Sequence, residues 1–164
     1  VGSEMCIRDS LNIFAKEGWN FMLYTGCYLN CKGDMCVSIS GDRGKNAGFY
    51  GNAYSSLAPK YDFFRKWKDN KGKIPEKENT RFYIYEYYNR VLKFLDPIKV
   101  YSDLDGKILL CYEKENEFCH RHLVAYWLEE CMDIAVDEVK VYNQKLVKLN
   151  RPEYLRYMLL DEIK

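Results

Sequence analysis

The chain has 164 residues, 48% hydrophobic and 30% charged, which suits one globular domain with a sizeable core. A net charge of +1 demands neither nucleic acid nor an anionic membrane as partner. No apolar run approaches the ~20 residues of a membrane-spanning helix, and the start lacks the basic-then-apolar pattern of a secretory signal. The expectation is a cytoplasmic protein with no membrane partner.

Seven cysteines are many for that compartment, but the number is odd and the spacing irregular. Cytosolic thiols stay reduced, so catalytic and metal-binding roles come before a disulfide framework. The 15 tyrosines fall mostly at helical or strand spacing, as core-edge residues do.

The first ten residues, VGSEMCIRDS, resemble a translated sequencing-adapter read of the kind found in metagenomic assemblies. Residues 1–20 are therefore expected to be a leader outside the domain, and Cys6 is set aside with them. The domain proper is expected over residues 21–142, with 143–164 as a C-terminal helical extension.

Phe21 to Tyr28 (FMLYTGCY) is short, apolar and β-prone, and predicts a strand; Met35 to Ser40 (MCVSIS) predicts a second. Gly41 to Pro59 is too long for a simple connector, and its aromatics Phe49, Tyr50 and Tyr54 point to an ordered loop folded over something. Tyr61 to Asp69 predicts a short helix. Glu78 to Leu95 predicts a longer one, with Ile84, Tyr85, Tyr88, Val91, Leu92 and Leu95 on its inner face and Asp96-Pro97 as its stop.

Ile108 to Tyr112 is a continuous apolar run, as in a central parallel strand. His120 to Met132 predicts a helix whose inner face carries Val124, Trp127, Leu128 and Cys131. Glu138 to Tyr142 alternates, as an outer strand does, and Pro152 opens a last helix over Glu153 to Ile163. This order of elements predicts an α/β fold: a single three-layer domain with a small, mainly parallel sheet flanked by helices.

Ligands of open parallel sheets collect beyond the carboxyl ends of the strands. Cys111 and Glu113 stand at such an end, and Cys119, His120 and Arg121 follow at a helix N-terminus. Free backbone N–H groups and the helix dipole favour an anion there and lower a cysteine pKa, as does a neighbouring Arg121. Cys119 is thus placed as a thiolate nucleophile or a metal ligand would be.

At about 100° per residue, His120 and Arg121 turn inward while His122 falls with Tyr126 and Glu129 on the far side, toward solvent. The bland alternative is a cysteine and histidine that cap the helix, with Arg121 paired to Glu113.

Three weaker signals remain. Cys27, Cys31 and Cys36 could supply three zinc ligands, with Cys111 or Cys119 as a fourth, but the tight paired spacing of structural zinc is missing. Buried thiols suit them better, and no metal is assigned. Lys60 to Lys73 interleaves lysines with Tyr61, Phe63, Phe64 and Trp67, a pattern that could track nucleic acid. The same spacing makes those rings a buried helix face and the lysines its solvated one. Ser38, Ser40, Asp42 and Arg43 end the second strand, where a phosphate could sit, although no glycine-rich phosphate loop is present.

The run LLCYEKENEFCHRHLVAYWL (Leu109 to Leu128) resembles the signature of the bacterial and archaeal domain-of-unknown-function family 488. FMLYTGCY, VSIS, FYGNAYSSLAPKYDFF and the Tyr85 to Leu95 stretch with Asp96-Pro97 resemble its other segments in order. The resemblance implies an α/β domain with Cys119, His120 and Arg121 as hallmark and Cys111 and Glu113 as further motif positions. It supplies no activity, and it leaves the cofactor unknown.

The functional expectation is an enzyme or binding protein for a small anionic, phosphorylated or nucleotide-like ligand. Cys119, His120 and Glu113 are its catalytic candidates. Arg121, Arg43, Ser38, Tyr50 and Cys111 are its ligand-binding candidates. The alternatives are a non-catalytic nucleic-acid- or protein-binding module and a zinc-stabilised domain.

Overall fold

Short apolar runs form the strands, and the polar-apolar periodic stretches between them form the helices, in a computed structural model that describes residues 22–164. The leader, with Cys6, lies outside the described residues, as does Phe21 at the start of the first predicted strand. The strands are β1 (Tyr24–Cys27), β2 (Cys36–Ser38), β3 (Asn52–Ala53), β4 (Ile108–Cys111), β5 (Asp137–Tyr142) and β6 (Lys145–Leu149). The helices are α1 (Tyr61–Asn70), α2 (Glu76–Arg90), α3 (Pro97–Leu104), α4 (His120–Met132) and α5 (Tyr154–Ile163).

The chain is a single α/β domain around one sheet, ordered β3-β2-β4-β1-β5-β6. Every neighbouring pair is parallel except the β5–β6 hairpin. β4 lies inside the sheet and is buried along its whole length, which is why ILLC is unbroken by a polar residue.

The two sheet faces are covered differently. Leu109 and Val37 point into the larger core, to which all five helices contribute, including Trp67, Tyr83, Tyr101, Leu123 and Leu159. Ile108, Leu110, Cys36 and Val139 point the other way, into a smaller cluster completed by Tyr28 and Cys31 of the β1–β2 loop. That loop lies against the sheet: a Cβ at Gly26 would stand 2.7 Å from the Cys31 sulfur.

Three elements differ from the sequence expectation. Asp96-Pro97 starts a helix as well as following one: the Asp96 carboxylate accepts from the Ile98 N–H at 3.0 Å, with proline in the first turn of α3. Asp96→Ala is expected to cost about 1 kcal/mol, read as a fall in the midpoint of thermal melting. α2 buries Tyr83, Ile84 and Tyr87; of the predicted inner face Ile84, Val91 and Leu92 are buried and Tyr88 and Leu95 half-buried, while Tyr85, at 55% exposed, departs from it. Tyr83 and Tyr87 turn toward α1 and the site, where they meet Phe63, Trp67 and His120.

Beyond residue 142 the chain first makes β6, the true edge strand, so β5 is not outermost. It then makes α5, whose Leu155 and Leu159 join the larger core. α5 packs on α2 and α4. No helix among the described residues is long and apolar enough to cross a membrane.

Candidate functional site

β2 and β4 run side by side and parallel, so their carboxyl ends open at one edge of the sheet. β4 delivers Cys111, Tyr112 and Glu113 there, and β2 delivers Ser38, Ile39 and Ser40. The chain then returns through an extended Cys119 (φ −154°), the N-cap of α4, whose sulfur makes no capping hydrogen bond. Left free of that duty, the sulfur lines a cavity together with Cys111, Glu113 and His120.

Cys111 Sγ lies 3.6 Å from Glu113 Oε2 and 3.6 Å from His120 Nδ1. His120 Nε2 donates to the Ile39 carbonyl at 2.8 Å. A carbonyl only accepts, so this bond fixes the proton on Nε2 and leaves Nδ1 free to face the sulfurs. The Cys111 and Cys119 sulfurs and one His120 ring nitrogen all lie within 4.8 Å of one another, and all three residues are buried. Among the described residues, this is the group of histidine, cysteine and acidic side chains with the geometry to hold a metal ion.

Burial pushes the Cys119 thiol up, but the Cys111 hydrogen bond, the Arg121 charge and His120 overcome it and hold the thiol well below its usual range. Burial, and then the adjoining Cys119, pushes Cys111 well up. Burial, and then the Cys119 charge, raises Glu113 to about 7. Burial opposes the charge on His120, yet Cys119 and the Ile39 carbonyl shift it upward. The cluster therefore pairs one electron-rich sulfur with a carboxyl group poised near neutrality.

Around this cluster the cavity of about 740 Å³ is walled by Tyr61, Phe64, Trp67, Tyr83, Tyr112 and Phe118. Ala58 and Pro59 of the long loop close one side, and Ser40, Asp42, Asn46 and Lys68 supply polar groups. Asp42 organises its turn: its carboxylate accepts from Ser40 Oγ, the Gly44 N–H and the Asn46 N–H, and Tyr112 donates to it. Although burial works the other way, those donors hold the Asp42 carboxyl down at about 2. The turn forces Arg43 (φ 61°) and Gly44 (φ 83°) into the left-handed region. A Cβ at Gly44 would stand 2.9 Å from both Tyr28 and Phe49.

Of the residues singled out from the sequence, Cys111, Glu113, Cys119 and His120 meet in this cavity. Ser38 sits one step behind, bonded to Tyr28 Oη at 2.6 Å and to Ser40 Oγ at 3.2 Å. Arg43 is exposed and Tyr50 is 85% exposed, and neither lines the cavity.

Arg121 is fully buried away from the cavity, and its partner is Glu138 rather than Glu113. Nη2 meets Oε2 at 2.7 Å, Nε meets Oε1 at 3.1 Å, and Thr25 Oγ1 donates to Oε1 at 2.7 Å. His122 is a correction. It is 0% exposed rather than solvent-facing, because α4 is covered on its outer side too, by α5 and by the Tyr126 bond to the Pro152 carbonyl. Both His122 ring nitrogens and Arg121 Nη1 are buried without a hydrogen-bond partner.

The sequence names Asp42 only as part of a phosphate-holding turn, and Tyr61, Phe64 and Trp67 only as rings beside the lysines; it does not single out Tyr83, Tyr112 and Phe118 of the cavity wall. Phe64 and Trp67 share a side of α1, as their spacing of three requires, but that side faces a cavity as much as the core. Cys27, Cys31 and Cys36 are buried as free thiols, and Cys31 donates weakly to the Val139 carbonyl at 3.5 Å.

Residues 36–132 match the family model DUF488-N3a, described as the active DUF488-N3 subclade. No curated protein and no solved structure matches the chain.

Proposed function

The chain belongs to the DUF488 family, and from that premise we propose an enzyme that takes a planar, nucleotide-like ligand into the aromatic cavity and attacks it with the Cys119 sulfur. The observation that carries this reading is the meeting of Cys119, Cys111, His120 and Glu113 inside a cavity walled by six aromatic rings. Flat rings stack on aromatic side chains, and a volume near 740 Å³ is of the size that holds a small ligand. Ser40, Asp42 and Asn46 offer hydrogen bonds to a base edge, and Lys68 offers its charge to a phosphate. The matching family model is itself described as active.

In the proposed step the Cys119 lone pair forms a bond to an electrophilic carbon of the ligand. The displaced electron pair goes to the departing heteroatom, which receives its proton from Glu113. Arg121 acts from behind, through its charge on the sulfur, because its guanidinium is held by Glu138.

The test uses full-length protein stripped with a chelator and kept reduced. Nucleosides and nucleotides are expected to quench Trp67 fluorescence, an effect absent from Trp67→Phe, and to protect Cys119 from iodoacetamide. Unprotected Cys119 should alkylate faster at neutral pH than a free thiol such as glutathione. The reading fails if no member of the panel protects Cys119 and its alkylation is no faster than that of glutathione. Salt-sensitive binding of single-stranded oligonucleotides without such protection would instead favour a nucleic-acid-binding module built on the lysines of α1.

A further inference from the structure

We infer that Cys111, Cys119 and His120 form a binding site for a soft divalent metal ion, zinc above all, and that a metal bound there masks the Cys119 sulfur. The inference rests on the reading of Cys119 as the attacking group and assigns that group a second, competing ligand.

Two sulfurs and one imidazole nitrogen make a donor set that selects zinc over magnesium or calcium. The spacing agrees. Bonds of about 2.3 Å to sulfur and about 2.0 Å to nitrogen, at tetrahedral angles, set sulfur and nitrogen about 3.5 Å apart and two sulfurs about 3.8 Å apart. Cys111 Sγ and His120 Nδ1 stand at 3.6 Å, and the Cys119 sulfur completes a triangle no wider than 4.8 Å.

The histidine is also oriented as a ligand must be. Its Nε2–H is tied to the Ile39 carbonyl, the outer bond by which proteins fix a metal-binding imidazole, so Nδ1 is the atom turned to the sulfurs. The three ligands come from a buried strand end and the first turn of a helix, so little ordering is left for the metal to impose.

Three protein ligands leave a fourth position for water or a ligand group, and the cavity that all three line is where it opens. Glu113, 3.6 Å from the Cys111 sulfur, can accept a hydrogen bond from a water held there. Cys27, Cys31 and Cys36, the cysteines whose spacing first suggests a metal, are near one another, but among the described residues their sulfurs do not form such a group of three; Cys31 and Cys36 pack into the smaller cluster on the opposite face of the sheet.

Masking follows from the bonding. Each sulfur–metal bond uses a thiolate lone pair, and any thiol proton displaced leaves for solvent. The pair that would attack a ligand carbon or an alkylating reagent is then committed to the metal.

The experiment titrates cobalt(II), then zinc, into reduced, chelator-stripped full-length protein. One equivalent of cobalt should give the intense visible bands of a tetrahedral site and a sulfur-to-metal charge-transfer band, and one equivalent of zinc should bleach both. Zinc-loaded protein should alkylate at Cys119 at least about tenfold more slowly, and a chelator should restore the rate. Cys111→Ser and Cys119→Ser should each lose the charge-transfer band while keeping their far-ultraviolet circular dichroism; Cys36→Ser should keep the band.

Metal binding with the nucleotide panel still inert would overturn the function and leave the metal site standing. Nucleotide protection of Cys119 with no stoichiometric cobalt complex would do the reverse. A complex that survives Cys111→Ser and is lost in Cys36→Ser, or bound zinc that leaves Cys119 alkylation unchanged, overturns the inference.

Discussion

Replacing Glu138 with leucine is expected to destabilise the domain by about 3–5 kcal/mol, a large share of the roughly 5–15 kcal/mol that holds a domain folded. The Arg121 and Glu138 side chains are 0% and 1% exposed, and the arginine carries its charge into the interior with one carboxylate to answer it. Without Glu138 the guanidinium is buried, unpaired and unable to lose its proton, and Thr25 loses its acceptor as well.

Removing both charges is a different experiment. Arg121→Met combined with Glu138→Leu should recover most of the loss, because a packed apolar pair carries no desolvation penalty. Denaturant melts of the two single variants and the double variant measure this as a coupling energy.

The folded double variant then isolates what the arginine does for the site. With that charge gone, Cys119 should lose part of its thiolate character and alkylate more slowly at neutral pH. Equal stability of single and double variants would sink the ion-pair argument. An unchanged alkylation rate in the folded double variant would sink the electrostatic one.

The second large effect is an acid limb of stability set by His122. Burial, and then the nearby Arg121 charge, lowers its pKa to about 4, against about 6.5 in an unfolded chain. Above pH 6.5 the ring is neutral folded and unfolded, and its contribution is fully present. Between 6.5 and 4 the unfolded chain takes up a proton that the folded one refuses, so stability falls as pH falls.

The difference between about 6.5 unfolded and about 4 folded corresponds to about 3 kcal/mol lost across that window. Neither ring nitrogen has a hydrogen-bond partner, so His122→Leu should be near neutral at pH 7.5 and more stable than the parent chain at pH 4.5. Carboxylates titrate in the same range, which is why the difference between parent and variant is the quantity to measure. If that difference is the same at both pH values, His122 is not the group responsible.

His122 also shows where reading the chain stops working. A helical wheel assumes one wet face, and α4 has none of consequence: ten of its residues are buried, because a helix some 30 positions further on covers the side turned from the sheet. The turn itself was legible, since an unbroken apolar strand followed by polar chemistry at a helix start is a local pattern. So were the parallel sheet and the cluster of Cys111, Glu113, Cys119 and His120, all within ten residues.

What joined them from a distance was not legible. Glu138 sits in an alternating strand, where its parity could equally mean solvent; only the sheet order turns it toward α4. Asp96-Pro97 is as good a start signal as a stop, and only the helix after it decides. Phe64 and Trp67 have the spacing of core residues whether or not a cavity lies beside them.

Cys119 occupies a position where serine, threonine, aspartate or asparagine would satisfy a helix-end N–H. Its uncapped sulfur leaves roughly 1 kcal/mol of stability on the table. A screen that rewarded heat resistance alone would therefore tend to replace this sulfur with a capping oxygen, and would remove the attacking group of the cavity along with it.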